Sequence, residues 1–393
     1  MRLRYLPPVY SPLSFPAVLA GLFRTGRLEE VRAHIERDYA PAGVLLADSG
    51  TSALRLALEA AAAERGERSP VIAMPAYCCF DVATAADGAG AGVVLYDLDP
   101  ATLSPDRDSL QRALALRPAV IVVAHLYGLA ADLDLVAAVA RETGAVIVED
   151  AAQGVGGASR GRPLGASGTL GVLSFGRGKG RTGGHGGALL ANDSRGAELL
   201  EPARNRLAPA QGAWTDRPGL LAQWALARPA WYRIPASLPF LQLGETIYRP
   251  AWPPRDMDKG SAGTLAATWK ASHSEADARR RNAARLDEIL SGRTGVEVIR
   301  PLPDTLAGFL RFPVLLPAGS VDAAARALGV MPGYPHALSD LRGFGARCLP
   351  VEDRFEGARD LARRLITFPT HSRLRAADLR AIEQWVSARF PRG

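Results

Sequence analysis

The chain has 393 residues, of which 48% are hydrophobic and 22% charged, so a large packed core is possible and wholesale disorder is not expected. The net charge of +7 suits an anionic ligand, but the arginines are scattered without interleaved aromatics, so nucleic-acid binding is not expected. Of the 47 basic residues only Lys179, Lys259 and Lys270 are lysines, and the other 44 are arginines. A lysine at an unusual place in such a chain therefore needs a chemical reason.

Membrane spans, secretion and metal sites are also not expected. Every run of about 18 residues contains a charge or a proline, which argues against a transmembrane helix. Residues 15–23 are apolar and follow Arg2 and Arg4, but neighbouring prolines interrupt them, so we expect no signal peptide. The three cysteines, two of them adjacent as Cys78 and Cys79, show neither a disulfide framework nor zinc spacing. These features favour a reducing cytoplasm.

Strand-like and helical segments alternate over the first two thirds of the chain. Helices are predicted from Ala53 to a stop at Gly66, and over residues 133–143 before Gly144. The predicted strands are uniformly apolar or nearly so, and strands separated by helices predict a parallel sheet covered on both faces. The strands lie at residues 44–47, 71–74, 92–96, 119–124 and 145–148.

The composition of the sequence changes after these strands. Residues 154–187 contain fourteen glycines, with predicted strands at 171–175 and 187–190, so tight loops interrupt the sheet there. A helix is predicted over 264–290, followed by strands at 296–299 and 308–315. The last helix carries Leu379, Ile382, Trp385 and Phe390 on one side. We therefore predict a large domain over residues 1–257 and a smaller α+β domain over 258–393.

Residues 205–255 form a separate region, rich in tryptophan and proline. Its tryptophans are Trp214, Trp224, Trp231 and Trp252, and Arg217, Arg228, Arg233 and Glu245 argue against a bilayer span. Three interpretations stay open: an insertion that packs on the main body or a second subunit, a substrate lid, or a segment in shallow contact with a membrane surface.

Polar residues follow two of the buried strands. Asp150, in Glu149-Asp150-Ala151-Ala152-Gln153, comes at the carboxyl end of a parallel strand, where α/β sheets place ligands. An aspartate there could also simply cap the next turn. The second group is Ser174-Phe175-Gly176-Arg177-Gly178-Lys179, a strand that runs into a glycine loop. A lysine in such a loop is often solvated or binds phosphate, but the Walker pattern is absent because Gly180 follows it.

A third feature indicates that these two groups serve one function. Gly50-Thr51-Ser52 begins a predicted helix, and backbone N–H groups at a helix start favour a phosphate dianion. A lysine amine can form an imine with an aldehyde, which an arginine cannot do. A carboxylate beside a pyridine nitrogen keeps that nitrogen protonated. Phosphate cradle, carboxylate and lysine are what pyridoxal 5′-phosphate requires, so the sequence predicts a site for that cofactor.

Eight short motifs occur in one order over most of the chain. They are Ser49-Gly50-Thr51-Ser52-Ala53-Leu54, Met74-Pro75-Ala76-Tyr77, Tyr96-Asp97-Leu98-Asp99, His125-Leu126-Tyr127-Gly128, Glu149-Asp150-Ala151-Ala152-Gln153, Ser174-Phe175 with Lys179, Gly184-His185-Gly186-Gly187 and Phe368-Pro369-Thr370-His371. With them the chain resembles the DegT/DnrJ/EryC1/StrS family of pyridoxal-phosphate-dependent sugar aminotransferases. The resemblance implies the α/β type I aminotransferase fold, with a large domain on a mostly parallel seven-stranded sheet between helices and a smaller C-terminal α+β domain.

The resemblance also implies roles for single residues. Lys179 would form the Schiff base with the cofactor and, as a free amine, shuttle a proton. Asp150 would pair with the pyridine nitrogen, and Gln153 would hydrogen-bond the phenolic side of the ring. Ser174 and the backbone at Gly50-Thr51-Ser52 would bind the phosphate.

The aromatic residue expected to stack on the cofactor is less clear from the sequence. The family's position falls on Cys79, with Tyr77 or Phe80 as replacements, and we favour Tyr77. His125 has two interpretations, a satisfied histidine at a strand end or a group of the active site.

Two departures from the family pattern lie near the expected substrate entrance. His185 replaces the glutamate of the family's Gly-Glu-Gly-Gly motif. The segment Gly-x-Asn-Tyr-Arg, whose asparagine reaches the phosphate of the partner subunit, is not visible. Tyr248-Arg249 is the candidate remnant of that segment.

The expected function is transfer of an amino group from an amino acid, typically glutamate, to a keto sugar. The resemblance implies a nucleotide-linked acceptor in polysaccharide or natural-product biosynthesis, and a homodimer with shared active sites. Two alternatives stay open: amination of a non-sugar ketone such as a cyclitol, and a non-catalytic, cofactor-binding regulator. A dehydratase of the same family is disfavoured, since those relatives replace the Schiff-base lysine with histidine and Lys179 is present.

Overall fold

The structure, a computed structural model, describes residues 4–23, 27–66, 69–210, 217–237, 247–344 and 348–393. Two helices, α1 (Phe15–Phe23) and α2 (Leu28–Tyr39), precede the first strand. Both pack against the first half of a long helix, α10 (Lys259–Leu290), and so join the start of the chain to its middle.

A seven-stranded sheet forms the centre of the larger layer, in the order β1-β9-β8-β5-β4-β2-β3. All neighbouring strands are parallel except β9, which is antiparallel to both β8 and β1. Every residue of β4, β8 and β9 is buried, so both faces of the sheet are covered. The strands are β1 (Gly43–Ala47), β2 (Val71–Pro75), β3 (Gly92–Tyr96), β4 (Val120–Ala124), β5 (Val146–Asp150), β8 (Leu170–Ser174) and β9 (Gly187–Ala191). This confirms the predicted α/β fold with a mostly parallel seven-stranded sheet.

Helices connect the parallel strands. α3 follows β1 and ends at Glu64, two residues before Gly66, whose φ of +67° lies in the left-handed region, as the predicted helix stop requires. The glycine-rich stretch adds a small three-stranded sheet, β11-β6-β7, outside the main one. The connecting helices are α3 (Gly50–Glu64), α4 (Phe80–Ala89), α5 (Arg107–Leu114), α6 (Leu133–Ala140) and α7 (Ser194–Arg204), and the short strands are β6 (Ala158–Ser159), β7 (Arg162–Pro163) and β11 (Thr305–Leu306).

A second, antiparallel sheet lies in the C-terminal part, with the order β10-β12-β14-β13. Helix α13 covers it through Ile382 and Trp385, and Phe390 is buried just beyond the end of that helix. The elements are β10 (Glu297–Val298), β12 (Phe312–Leu315), α11 (Ala323–Ala327), β13 (Met331–Pro332), α12 (Glu356–Arg364), β14 (Leu365–Phe368) and α13 (Ala376–Ser387).

Helix α10 takes part in two separate apolar cores. Its first half packs with the large sheet through Leu265 and Trp269, and its second half packs with the small sheet through Leu286 and Leu290. The helix begins five residues earlier than predicted, because the Asp258 carboxylate accepts hydrogen bonds from the backbone N–H groups of Gly260 at 2.8 Å and of Ser261 at 3.0 Å. The predicted division between residues 257 and 258 stays a prediction.

The tryptophan-rich region contributes two helices, α8 (Arg217–Leu226) and α9 (Arg233–Ala236). Helix α8 packs on α1, where the rings of Trp224 and Phe15 lie 5.1 Å apart. Trp214 and Glu245 lie outside the described residues. Within the described ranges, none of the helices combines the length and the apolar character needed to cross a membrane.

Candidate active site

The predicted site residues meet at one edge of the main sheet. Strands β1, β5 and β8 run in the same direction, so their carboxyl ends share this edge. β5 ends at Asp150, β8 ends at Ser174, and β1 is followed by the start of α3. A cavity of about 40 Å³ opens there. Its lining includes Gly50, Thr51, Cys79, Asp81, Asp150, Ser174 and Lys179.

The start of helix α3 forms an anion cradle. The Ser49 hydroxyl caps the helix by accepting a hydrogen bond from the Ser52 N–H at 3.0 Å. The Thr51 N–H has no acceptor within the described part of the chain. A Cβ on Gly50 would lie 2.7 Å from Cβ of Ser174, so only glycine leaves room there. An open N–H group and a space that a side chain would fill fit a phosphate group.

The two carboxylate oxygens of Asp150 have different surroundings. Its Oδ1 accepts a hydrogen bond from the Ala152 N–H at 3.0 Å, which is the turn-capping role considered from the sequence. Among the described residues no donor is present for Oδ2, and the side chain lines the cavity. Burial raises the pKa of Asp150, while the Ala152 N–H and the Lys179 ammonium oppose that rise. The carboxylate can therefore cap a turn and still accept a hydrogen bond from a ligand.

Lys179 is held between two glycines in left-handed backbone conformations, Gly178 with φ of +75° and Gly180 with φ of +84°. The loop is tied down by a hydrogen bond from the Gly180 N–H to the Ser11 hydroxyl at 3.2 Å. The lysine lines the cavity beside Asp150 and a second cavity of about 20 Å³ next to it. In the described ranges its amine has neither an ion-pair nor a hydrogen-bond partner. A half-buried primary amine without a partner is suited to covalent chemistry.

The second cavity brings in Gln153 and a residue that the sequence analysis missed, Tyr334. The Gln153 amide accepts a hydrogen bond from the Tyr127 N–H at 2.9 Å and donates one to the Tyr334 hydroxyl at 2.5 Å. Both ends of this amide are therefore fixed by the protein. The predicted hydrogen bond from Gln153 to a cofactor stays a prediction. Tyr334 is 181 residues away in the chain, and no local pattern points to it.

Tyr77 lies away from these cavities. Its side chain is fully buried, and its hydroxyl accepts a hydrogen bond from the Tyr334 N–H at 2.8 Å. Cys79, at the start of α4, lines both cavities instead, and burial raises the pKa of its thiol to about 12. The stacking role of Tyr77 stays a prediction, and Cys79 is the side chain that the structure places beside Lys179 and Asp150.

His125 is a fully paired strand-end histidine that also touches the second cavity. Its Nδ1 accepts a hydrogen bond from the Ala131 N–H at 3.1 Å, so Nε2 carries the proton and donates to Glu149 at 2.8 Å. Glu149 is fully buried and also accepts bonds from the backbone N–H groups of a turn at residues 165–168. Burial raises the pKa of Glu149, but His125 and these backbone donors lower it by a larger amount. The pKa of Glu149 therefore lies below its ordinary value. This pair fixes the end of β5 next to Asp150.

The two segments that depart from the family pattern lie at the margin of the candidate site. His185 is exposed and lines a separate cavity of about 30 Å³ between the glycine-rich loop and the start of α10. The carbonyl of Arg249 accepts a hydrogen bond from the Thr84 hydroxyl at 2.9 Å, and the ring of Tyr248 meets Phe344 edge-on. Tyr248-Arg249 thus packs on α4, and its predicted role as the remnant of a phosphate-binding segment stays a prediction.

A sheet edge that combines an amine, a carboxylate and an anion-binding helix start defines the class of site that pyridoxal-phosphate enzymes use. Residues 29–219 match the DegT/DnrJ/EryC1/StrS aminotransferase family, so this segment of the chain is similar to that family.

Similar proteins include both enzymes and a regulator. The chain is 32% identical over 244 residues to an L-glutamine:2-deoxy-scyllo-inosose aminotransferase of Streptomyces lividus, which covers 62% of this chain and 52% of that protein. It is 34% identical over 157 residues to a pleiotropic regulatory protein of Geobacillus stearothermophilus, over 40% of this chain and 41% of that protein. The chain thus spans about half the length of these curated relatives, or less.

The solved structure of the sugar aminotransferase CalS13 from Micromonospora echinospora has a similar fold. Its TM-score with this chain is 0.74 at 21% sequence identity, over 98% of this chain and 100% of that chain. The likeness shows that the fold extends across the whole length, including the part beyond residue 219.

Proposed function

We propose that this protein is a pyridoxal-phosphate-dependent aminotransferase that transfers the amino group of an α-amino acid to a cyclic polyhydroxylated ketone. The observation that carries the proposal is the meeting of Lys179, Asp150 and the α3 cradle around one cavity. Three groups with separate chemical tasks converge there from three strand ends. A structural role alone would not leave the amine, one carboxylate oxygen and one N–H group open to the same space.

The residues divide the chemistry of the cofactor between them. When bound, pyridoxal phosphate supplies an aldehyde carbon that reacts with amines and a pyridine ring that accepts an electron pair. Gly50, Thr51 and Ser174 would hold its phosphate, and Asp150 would hold a proton on its ring nitrogen. Lys179 would anchor its aldehyde carbon, and then move a proton at the substrate carbon that carries the amino group.

The acceptor we propose is a keto cyclitol or a keto sugar. Support for a cyclitol comes from the names of several relatives, which are aminotransferases of scyllo-inosose or its 2-deoxy form. A nucleotide-linked keto sugar is the acceptor expected from the sequence, and it remains part of the proposal. For the donor, those relatives are named for L-glutamine, whereas the sequence analysis favoured glutamate. Both donors present the same α-amino and α-carboxylate groups.

Visible absorbance tests the proposal directly. Purified protein mixed with pyridoxal phosphate should develop the absorption band of a lysine-bound cofactor, and addition of L-glutamine or L-glutamate should bleach and shift that band. A keto cyclitol or a nucleotide-linked keto sugar should then restore it, and the acceptor that does so identifies the substrate class. Failure of the band to form would contradict the cofactor assignment.

A second candidate, a cofactor-binding regulator, is favoured by one observation, the similarity to the pleiotropic regulatory protein. Such a protein would form the absorption band but would not respond to any amino donor. The free Oδ2 of Asp150 and the unpaired amine of Lys179 argue for the enzyme, because a purely structural cofactor requires neither an electron sink nor a mobile base.

We also propose that the chain acts as a cytoplasmic homodimer. Exposed apolar side chains on α1 and just before α9 support self-association, among them Phe23, which is 76% exposed, and Trp231, which is 55% exposed. Light scattering of the purified protein checks the oligomeric state. A monomer that retains full activity would contradict shared active sites.

A further inference from the structure

A groove of about 420 Å³ lies beside the loop that carries Lys179. One wall is the N-terminal segment 7–13, the other is helix α8, and the loop residues Arg177 and Gly178 lie between them. Tyr232 and Arg311 complete the lining. The groove is large enough for an amino acid, whereas the two cavities at Lys179 are much smaller.

The groove is positively charged. Its lining includes two arginines, Arg177 and Arg311, and none of the lining residues in the described ranges is an aspartate or a glutamate. Arg177 is exposed at the rim, where solvent screens its charge. Arg311 lies deeper, just before β12.

Among the residues that the structure describes, Arg311 has no partner for its charge. Its Nε and Nη2 atoms are fully buried, and neither has a hydrogen-bond acceptor in the described part of the chain. Burial lowers the pKa of this guanidinium, and its strongest electrostatic neighbours are tyrosine hydroxyls, not carboxylates. These are the hydroxyls of Tyr127, Tyr334, Tyr232 and Tyr77. An unpaired buried cation is costly, and such a group is retained where a ligand supplies the missing anion.

Two connections join Arg311 to the active site. Tyr334, which influences Arg311, lines the cavity of Lys179 and accepts a hydrogen bond from Gln153. Arg177 and Gly178, which line the groove, directly precede Lys179 in the loop. The groove therefore borders the loop that carries Lys179, and Arg311 lies near a tyrosine that lines the cavity of this lysine.

We infer that Arg311 is a specificity-determining residue that binds the carboxylate of the amino donor in this groove. The inference rests on the proposed function. The planar guanidinium of arginine matches a carboxylate with two parallel hydrogen bonds. Arg311 lines the groove, and its buried Nε and Nη2 atoms lack acceptors among the described residues. A keto cyclitol carries no anion, whereas every amino acid donor carries a carboxylate, so the donor is the partner that this charge fits.

Calorimetry on the cofactor-loaded protein tests the inference without relying on turnover. The probe is glutarate, a dicarboxylate without an amino group, so it binds but cannot react. We expect Arg311→Gln to weaken glutarate binding at least about tenfold, the effect of losing a charge-assisted pair. Arg311→Lys should recover only part of the affinity, because an ammonium cannot form the bidentate pair. The matched control is Arg177→Gln, which removes an exposed arginine from the same groove and should change the affinity less than about threefold.

Donor kinetics give the second readout. In the first half-reaction, Arg311→Gln should raise the L-glutamine concentration needed for half-maximal rate at least about tenfold, and should leave the maximal rate within about threefold. Circular dichroism and the melting temperature establish that the variant is folded, and Arg311→Lys provides the same test if the glutamine variant is not. Unchanged glutarate binding in folded Arg311 variants would overturn the inference, and so would an equal loss in Arg177→Gln.

Binding of inorganic pyrophosphate tests whether Arg311 recognises a diphosphate of the acceptor instead of the carboxylate of the donor. If pyrophosphate binds the loaded protein more tightly than glutarate and Arg311→Gln abolishes this binding, the residue recognises a diphosphate of the acceptor and the carboxylate assignment is wrong. The proposed function fails separately, through absence of the cofactor band in the unaltered protein. A band that forms and responds to donor while Arg311 variants bind glutarate normally leaves the function intact and removes only the inference.

Discussion

The sheet edge and the groove differ in how their charges are satisfied. At the sheet edge, Asp150 and Lys179 line one small cavity, so each charge has an opposite charge nearby. In the groove, Arg177 and Arg311 face a much larger space, and none of the lining residues that the structure describes carries a carboxylate. The edge thus carries charges of both signs, whereas the described lining of the groove carries positive charge alone. This difference supports the proposal that the covalent chemistry takes place at the edge and that a charged substrate binds in the groove.

The strongest test of this division removes the amine at the sheet edge. Lys179→Ala should lower the transamination rate by about 10⁴-fold or more, because the variant loses both the covalent anchor and the proton carrier. Single-turnover conversion of pyridoxal phosphate to pyridoxamine phosphate, followed by chromatography, measures this rate in both proteins. Glutarate binding in the groove should stay within about threefold of the unaltered protein, since Arg311 is intact.

The two lysines that lie away from the sheet edge serve as matched controls. Lys259 and Lys270 are exposed on α10, and Lys270→Ala should leave the rate unchanged. Borohydride reduction followed by peptide mapping should label Lys179 alone. A label on Lys259 or Lys270 would show that the assignment of the edge is wrong.

A second test concerns the N-terminal wall of the groove, which a buried histidine holds in place. His371 donates a hydrogen bond from Nε2 to the Pro7 carbonyl at 2.9 Å, while its buried Nδ1 has no partner among the described residues. Burial, assisted by Arg279 and Arg373, lowers the pKa of His371 to about 4 from an ordinary value of 6.5. The unfolded chain therefore binds more protons than the folded chain between these two pH values.

Stability should consequently decline as the pH falls through that window. The contribution of neutral His371 is complete above about pH 6.5 and is lost towards pH 4, an effect of about 3 kcal/mol at most. Urea unfolding of the cofactor-free protein at several pH values measures it. The variant His371→Gln should show a shallower pH dependence, whereas His336→Gln, which alters an exposed histidine, should keep the original slope. Identical slopes for the unaltered protein and His371→Gln would contradict the assignment.

The sheet edge was predictable from the sequence because its residues follow strands in the linear order of the chain. Apolar runs locate β5 and β8, and a polar residue directly after each run must lie at the carboxyl edge of a parallel sheet. Asp150, Ser174 and Lys179 were therefore found without any knowledge of tertiary contacts. The start of α3 followed from the same rule.

The groove was not predictable because its residues come from distant parts of the chain. Pro7, Arg177, Trp224 and Arg311 have no common motif, and the tertiary fold brings them together. Tyr334 was missed for the same reason. The sequence has 44 arginines, and residue counts do not show which of them lack a partner in the folded protein. The absence of a partner for Arg311 among the described residues was therefore not predictable.

A third test adds one methyl group to the phosphate cradle. In Gly50→Ala the new Cβ would lie 2.7 Å from Cβ and 2.9 Å from Oγ of Ser174, so one of these groups must move. Overpacking of this kind costs about 1–3 kcal/mol, and we expect the affinity for pyridoxal phosphate to fall about tenfold. Equilibrium titration of the cofactor band measures the affinity. The control Gly92→Ala places its Cβ 3.4 Å from Leu349, an ordinary contact, and should have no effect.

The smallest expected effect is at His185, where this chain departs from the pattern of the family that it resembles. The side chain is exposed and lines a cavity separate from those of Lys179, although Arg177 borders that cavity as well as the groove. His185→Glu restores the residue of the family motif and adds a negative charge at the rim. Because solvent screens exposed charges, the half-saturating donor concentration should change less than about threefold and the cofactor affinity should not change. A tenfold loss of cofactor affinity in this variant would show that the edge and the groove are electrostatically coupled through the glycine loop, against the division drawn from their charges.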